Sequence, residues 1–248
     1  MQQRRMIFVF SSMVWIAAGC TPPGDDGRAP LVEQLAARVE QLEARAAETQ
    51  ALAARVQYLE DVNAIQKLQS KYAHYLFTQD YAKIYDECYS KRSPDVSVEF
   101  SDSGVYRGAE SVRKLYEAFE VTKTVPGFFI LHMTVNPYIE VAADGTSARS
   151  HWLSPGATGS NTSAGWVWGP YYIDYVKENG EWLILRSNLA PVFRNSYDVS
   201  WANATDNGTV RGVLAVEPDA PPTQYRPYHE AKQQPDIFAD YPELPEPY

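Results

Sequence analysis

Four strand-like segments punctuated by turn dipeptides limit the fold of this chain more than any other feature. After Pro126 and Gly127 come FFILHMTV, then YIEVAADGTSARSHWL with Asp144-Gly145 inside it, then GWVWGPYYIDYV joined across Asn179-Gly180 to EWLILRSNL. Asp-Gly and Asn-Gly supply the backbone that tight hairpins demand, so these segments read as a run of antiparallel strands. Upstream the period changes. Ile65, Leu68, Tyr72, Tyr75 and Leu76 form one apolar face of a helix that starts at Asp61. A second helix is expected over residues 81–88, a strand over 96–100, a turn from Ser101 to Gly104, and a third helix over 109–119. Helices first and hairpins afterwards give an α+β domain over residues 61–190. Residues 191–248 are rich in Pro and Tyr and weakly periodic, which suits a wrap around that domain or a tail.

The N-terminal sixty residues have a different character. Arg4 and Arg5 precede an apolar run over residues 6–18 that ends at Gly19 and Cys20. Residues 1–19 are therefore expected to be a signal peptide, and Cys20 the lipidated first residue of the mature chain, with plain secretion as the alternative. The chain would then be anchored in the membrane of a bacterial cell envelope. Residues 20–30 form a polar tether, and 31–60 a helical stalk in which Leu35, Val39, Leu42 and Ala46 alternate at four and three residues. After a phase slip near Thr49, Leu52, Val56 and Leu59 continue the pattern. Such a stalk is either a short coiled coil, making the protein a dimer or trimer, or a solvated spacer. The only other cysteine is Cys88, so lipidation of Cys20 leaves no intramolecular disulfide.

Several classes of partner are excluded by composition. A net charge of −9 without clustered Lys or Arg argues against nucleic acid. His74, His132, His151 and His229 lack ligand spacing and there is no cysteine cluster, so no metal is expected. No phosphate loop or dinucleotide glycine motif occurs either, and no cofactor is expected.

DVNAIQKLQSKYAHYLFTQDY, SDSGVYRGAESV, LHMTVNPYIEV, DGTSARSHWL and YIDYVKENGEWLI, in that order, resemble the SnoaL-like branch of the nuclear-transport-factor-2 superfamily over residues 61–189. PYHE at 227–230 is similar to the C-terminal wrap of a subgroup. The resemblance implies a cone, with a curved antiparallel sheet wrapped around helices and open at one end to a deep apolar pocket. It also implies functions such as those of scytalone and bile-acid dehydratases, polyketide cyclases and formaldehyde-releasing lyases of lignin-derived diaryl compounds. Many relatives are not enzymes.

The same resemblance carries the dehydratases' general base onto His132 and their pocket-facing helical tyrosine onto Tyr72. Alternation puts His132 on one face with Phe128, Ile130 and Thr134, inside the cone, where an imidazole can take and return a proton. The alternatives are a core histidine and a packing tyrosine. His151, on the next strand, is a further candidate for the pocket. Two positions depart from the dehydratase pattern, Phe77 where a carboxylate is expected and Phe100 where a tyrosine is. Asp174 and Asp80 are the carboxylates that could substitute, Asp80 also being placed to cap a helix. Trp166, Trp168 and Tyr172 share one strand face and Tyr171 and Tyr175 the other, so at least two of these rings should line a pocket for an aromatic guest, or else form an oligomer contact. The expected function is a cofactor-independent lyase on a hydrophobic, hydroxylated aromatic compound. The rival is an envelope protein that binds such a compound without turning it over.

Overall fold

A computed structural model of the chain describes residues 28–203, 214, 216–223, 232–233, 235–236, 238 and 241–246. Cys20, the signal peptide, most of the tether and His229 lie outside the described residues. The chain divides into two compact units, Met1–Ala53 and Ala54–Tyr248. The described part of the first is helical. Its apolar positions Leu35, Val39 and Leu42 are exposed.

Helix α1 runs without interruption over Arg28–Thr78, so Asp61 marks where the helix first becomes buried rather than where a new helix starts. Within the second unit its residues Asp61, Ile65, Leu68, Gln69, Tyr72 and Leu76 are buried. Steps of three and four make that a single stripe. Gln79, at a φ of 62°, ends the helix in the left-handed region, and the Asp80 N–H donates to the Tyr75 carbonyl. Helix α2 (Tyr81–Cys88) buries Tyr81, Ile84, Tyr85 and Cys88, again one stripe. Strands β1 (Ser97–Phe100) and β2 (Gly104–Arg107) form a hairpin, and α3 (Gly108–Ala118) follows, ending in a 3-10 turn over Phe119–Thr124.

The remaining strands are β3 (Phe129–His132), β4 (Val135–Val141), β5 (Ser147–Gly159), β6 (Ala164–Glu178), β7 (Glu181–Leu189) and β8 (Phe193–Ser196). All join one eight-stranded sheet, whose continuous path is β2-β1-β7-β6-β5-β3. The two long strands β5 and β6 pair over the whole of β5 and form its spine. On the free edge of β5 the short strands β4 and β3 succeed one another, and on that of β6 the strands β7 and β8 do the same. The spine carries Pro155 and Pro170 where those short strands hand over, at positions where the neighbouring ladder is already interrupted.

The sheet is mixed, not wholly antiparallel as the sequence suggested: β1 pairs parallel with β7. Its connection to the spine passes through helices and a crossover, not a tight turn, so no turn chemistry dictates its direction. Asn179 and Gly180 both adopt positive φ, as a two-residue hairpin requires. At Asp144-Gly145 only the glycine does, within a longer loop that Asp144 braces by accepting from the Thr146 N–H and hydroxyl.

Inside the curl, α1, α2 and α3 pack against Trp152 of β5, against Tyr171, Ile173 and Tyr175 of β6, and against Ile184 of β7. Residues 216–223 lie against the outside of the β1–β2 hairpin. There Ala220 bridges to Val105, Asp219 accepts from the Arg107 N–H and the Ser111 hydroxyl, and Glu99 accepts from Thr223.

Candidate active site

Register decides which side chains meet. On β3, Ile130 faces Thr158 and His132 faces Gly156. Both side chains look into the curl, where they wall a narrow hollow of about 50 Å³ together with Tyr72, Leu76, Phe100, Tyr116, Phe119, Thr158, Tyr171 and Arg194. The absence of a side chain on Gly156 makes room for the imidazole, since a Cβ there would stand 2.8 Å from His132 Cδ2 and 2.9 Å from the Val167 carbonyl oxygen. His132 is half-buried as a residue, but its Nε2 is enclosed and meets no hydrogen-bond partner. Burial, reinforced by the nearby Arg194 cation, pushes its pKa down from 6.5 to about 3. The ring is therefore neutral at pH 7.

Tyr72 comes from the buried stripe of α1 and touches the edges of Tyr89 and Tyr171, with ring centroids at 6.5 and 6.3 Å. Behind it runs a line of hydroxyls. Tyr116 donates to Tyr72 at 3.5 Å, Tyr116 and Tyr89 share a bond of 2.9 Å, and Tyr89 reaches the Ser187 hydroxyl at 2.7 Å. Burial holds the pKa of each of these phenols, and that of Tyr171, far above the usual 10, so all four are protonated donors at any ordinary pH.

Arg194 supplies the charge. It projects inward from β8, and its Nε donates to Oδ2 of Asp102 at 2.5 Å, the Asp102 side chain being wholly enclosed. The guanidinium is thus fixed from one side, while its Nη2 is buried without a partner. A second hollow of about 230 Å³ shares Phe119, Ile130, Thr158 and Arg194 with the first and adds Phe128, Trp166 and Asn195. Five buried side-chain polar atoms among the described residues lack a partner. Three of them, His132 Nε2, Arg194 Nη2 and Asn195 Oδ1, belong to walls of these two hollows. A buried polar atom left unpaired is costly, and two of these, His132 Nε2 and Arg194 Nη2, belong to walls of the same inner hollow, which suits a polar ligand group there.

The other candidates from the sequence lie elsewhere. His151 pairs across the strands with Tyr172, and both line a separate hollow of about 580 Å³ on the outer face of the sheet, with Trp168, Leu153, Phe193, Phe238 and Tyr241. Burial lowers the His151 pKa, but Arg194 is on the other side of the sheet. Asp174 is on the outer face too, in ion pairs with Arg149 and Arg186. Tyr175 is locked in the core, where it bonds Ser150 and Trp152. Of the rings on β6, Tyr171 alone reaches the inner hollow. The expected alternation holds, and Trp166, which borders the second hollow, shares with Trp168 and Tyr172 the side away from His132.

Phe77 is 55% exposed, and Leu76 walls the cavity in its stead. Phe100 does line it. Asp80 stands at the N-cap position of α2 but makes no side-chain capping bond: its carboxylate accepts from Lys83 and Thr78 at the surface. The carboxylate nearest the chemistry is Asp102, which sequence patterning assigned to a turn. Arg194 and Asn195 fell beyond Pro191, in the stretch that had no periodicity. Tyr116 had a signal, since it lies on the apolar stripe of α3 with Val112.

Among the described residues no three His, Cys, Asp or Glu side chains gather as a metal site needs, and no helix is long and apolar enough to cross a membrane.

The chain belongs to the SnoaL-like domain family, whose profile matches residues 57–188, just over half of its length. Among solved structures it is similar to Rv3472 of Mycobacterium tuberculosis, described as of unknown function. The two are 25% identical over 55% of this chain and 74% of that one, with a TM-score of 0.46. It is also similar to a candidate scytalone dehydratase of Novosphingobium aromaticivorans (19% identity, 62% and 99% coverage, TM-score 0.49). A third is the hexachlorocyclohexane dehydrochlorinase LinA-type3 of Novosphingobium barchaimii (15%, 62% and 98%, TM-score 0.48). No curated protein matches the chain.

Proposed function

We propose that the inner hollow is the active site of a cofactor-independent lyase acting on a small, hydrophobic, hydroxylated aromatic compound. The observation that carries this reading is the enclosed, neutral and unpartnered Nε2 of His132 beside the fixed guanidinium of Arg194.

The neutral imidazole has a free lone pair and takes a proton from a substrate carbon. The negative charge that develops on a neighbouring substrate oxygen falls to Arg194 Nη2, with the phenols of Tyr72 and Tyr171 as further donors. The carbon–oxygen bond of the leaving hydroxyl then breaks, and the imidazolium returns its proton to that oxygen, so that water and an alkene leave. The low basicity of the free His132 is part of this scheme. Burial is the larger cause of that low basicity, and an anionic oxygen on Arg194 offsets the smaller contribution of the cation.

Together the two hollows lie near the lower edge of the ~300–1,000 Å³ usual for small-molecule sites. That favours a one-ring substrate whose ring occupies the second hollow and whose reacting carbon enters the first. Carbon–carbon cleavage of a two-ring diaryl compound with loss of formaldehyde is the competing chemistry, and it needs more room. The low His132 pKa also favours a second reading, in which the pocket binds such a compound without turnover. Anchoring in a cell envelope through Cys20 belongs to the same proposal.

The test is incubation of the purified protein with one-ring β-hydroxy carbonyl compounds, following the conjugated alkene by absorbance. Turnover that disappears in His132→Ala supports the lyase. Saturable binding with no product supports the carrier, and full turnover by His132→Ala sinks the proposed base.

A further inference from the structure

The exposed stripe of α1 borders none of the three hollows, and its role is independent of the lyase reading. Val32, Leu35, Val39 and Leu42 are between 52% and 65% exposed. They recur at steps of three, four and three on a continuous helix, the spacing of a coiled-coil seam. With Val32 and Val39 at position a, Leu35 and Leu42 fall at d. Ala46 then takes the next a.

We infer that this stripe is the seam of a parallel, two-stranded coiled coil with a second copy of the chain. Two features fix the occupant. β-Branched residues at a with leucine at d pack best in a parallel dimer, because the two positions present their side chains to the facing helix at different angles. In the same register Arg38 is at g and Glu43 at the following e, five residues on. A parallel seam sets g of one helix beside that e of its partner, so two identical chains form two opposite-charge pairs. An antiparallel seam sets g beside g and e beside e, which brings like charges together.

The pattern recurs in the next block of the helix. Leu52 and Leu59 stand at d, Val56 at a, Arg55 at g and Glu60 at e. All five are exposed. The second block is displaced by seventeen residues from the first, two heptads plus three. A three-residue insertion of that kind overwinds a coil locally without ending it. The short first block, with alanine at its last a, makes a reversible contact, not a permanent one.

Sedimentation velocity on the full chain across a concentration series tests this. A monomer–dimer equilibrium is expected. Leu35→Asp with Leu42→Asp should give monomer at every concentration with an unchanged near-ultraviolet circular dichroism spectrum, while Ala44→Asp, at the outward f position, should leave the equilibrium alone. Arg38→Glu should weaken the dimer roughly five-fold, as expected of two exposed pairs turned repulsive, and Arg38→Glu with Glu43→Arg should restore it. A wild-type monomer, a trimer, a dimer that survives Leu35→Asp with Leu42→Asp, or a dimer unweakened by Arg38→Glu each overturns the inference.

Discussion

The two faces of the spine strands each hold a histidine beside a hollow, and the hollows differ in size and in charge. The outer hollow, with His151, is more than ten times the volume of the inner one with His132. Its walls are mostly rings and aliphatic side chains with Ser154 among them, and among the described residues no ion pair reaches them. The inner hollow is cramped, yet it brings together a neutral imidazole, the three high-pKa phenols of Tyr72, Tyr116 and Tyr171, and a guanidinium held by a buried carboxylate. Size and apolarity mark where a greasy surface lies. Unpartnered polar atoms and a fixed charge mark where a reaction can be assisted.

The comparison can be broken most directly by mutation of the two histidines. His132→Ala should lower turnover by about 10²–10⁴-fold, the usual worth of a positioned general base, while His151→Ala should change it by less than about three-fold. Equal losses at both would erase the distinction between the faces.

Next in size is the buried pair. Arg194→Met leaves the enclosed Asp102 without its cation, with only the Ser103 hydroxyl donating to it, and should cost about 3–5 kcal/mol in urea unfolding. Asp102→Leu with Arg194→Met should recover most of that stability but no activity. If the double variant remains active, the cation is structural only.

A smaller effect is expected at Gly156. An added methyl would meet the imidazole and the Val167 carbonyl, so Gly156→Ala should cost about 1–3 kcal/mol of stability and reduce turnover by displacing His132. An unchanged turnover would mean the ring position matters little.

Acid titration sharpens the contrast further. The unfolded chain protonates His132 near 6.5 and the folded one only near 3. Between those values the unfolded state holds more protons, so stability should fall as pH drops below about 6.5 and stop falling on this account near 3. Equilibrium unfolding of His132→Gln against pH should show a shallower slope in that window. Smallest of all, Tyr172→Phe on the outer face removes one hydrogen bond, 3.2 Å long, to the Pro242 carbonyl. It should cost at most about 1 kcal/mol and leave turnover untouched.

Part of this site is legible in the chain itself. His132 and Tyr72 can be read because each sits in a strongly periodic element, where a two- or three-to-four-residue period reports the buried side. The rings of β6 are legible as two sets, but not which set faces the helices. Alternation is symmetrical, and either set could have been the inner one. Asp102 and Arg194 cannot be read at all. One occupies a turn and the other a four-residue strand beyond the last periodic segment, 92 positions away.

The sequence alone determined most of the helices and long strands and their order, the two-sidedness of each long strand, the apolar stripe of the first helix and the family to which the domain belongs. These come from local periods and turn chemistry, which act over a few residues. Only the tertiary structure decided that β1 joins β7 in parallel, that His151 and His132 lie on opposite faces, and that a carboxylate and a guanidinium from distant short segments meet beside the imidazole. Such pairings depend on how the sheet curls, and the curl is a sum of register and twist over all eight strands that no local stretch encodes.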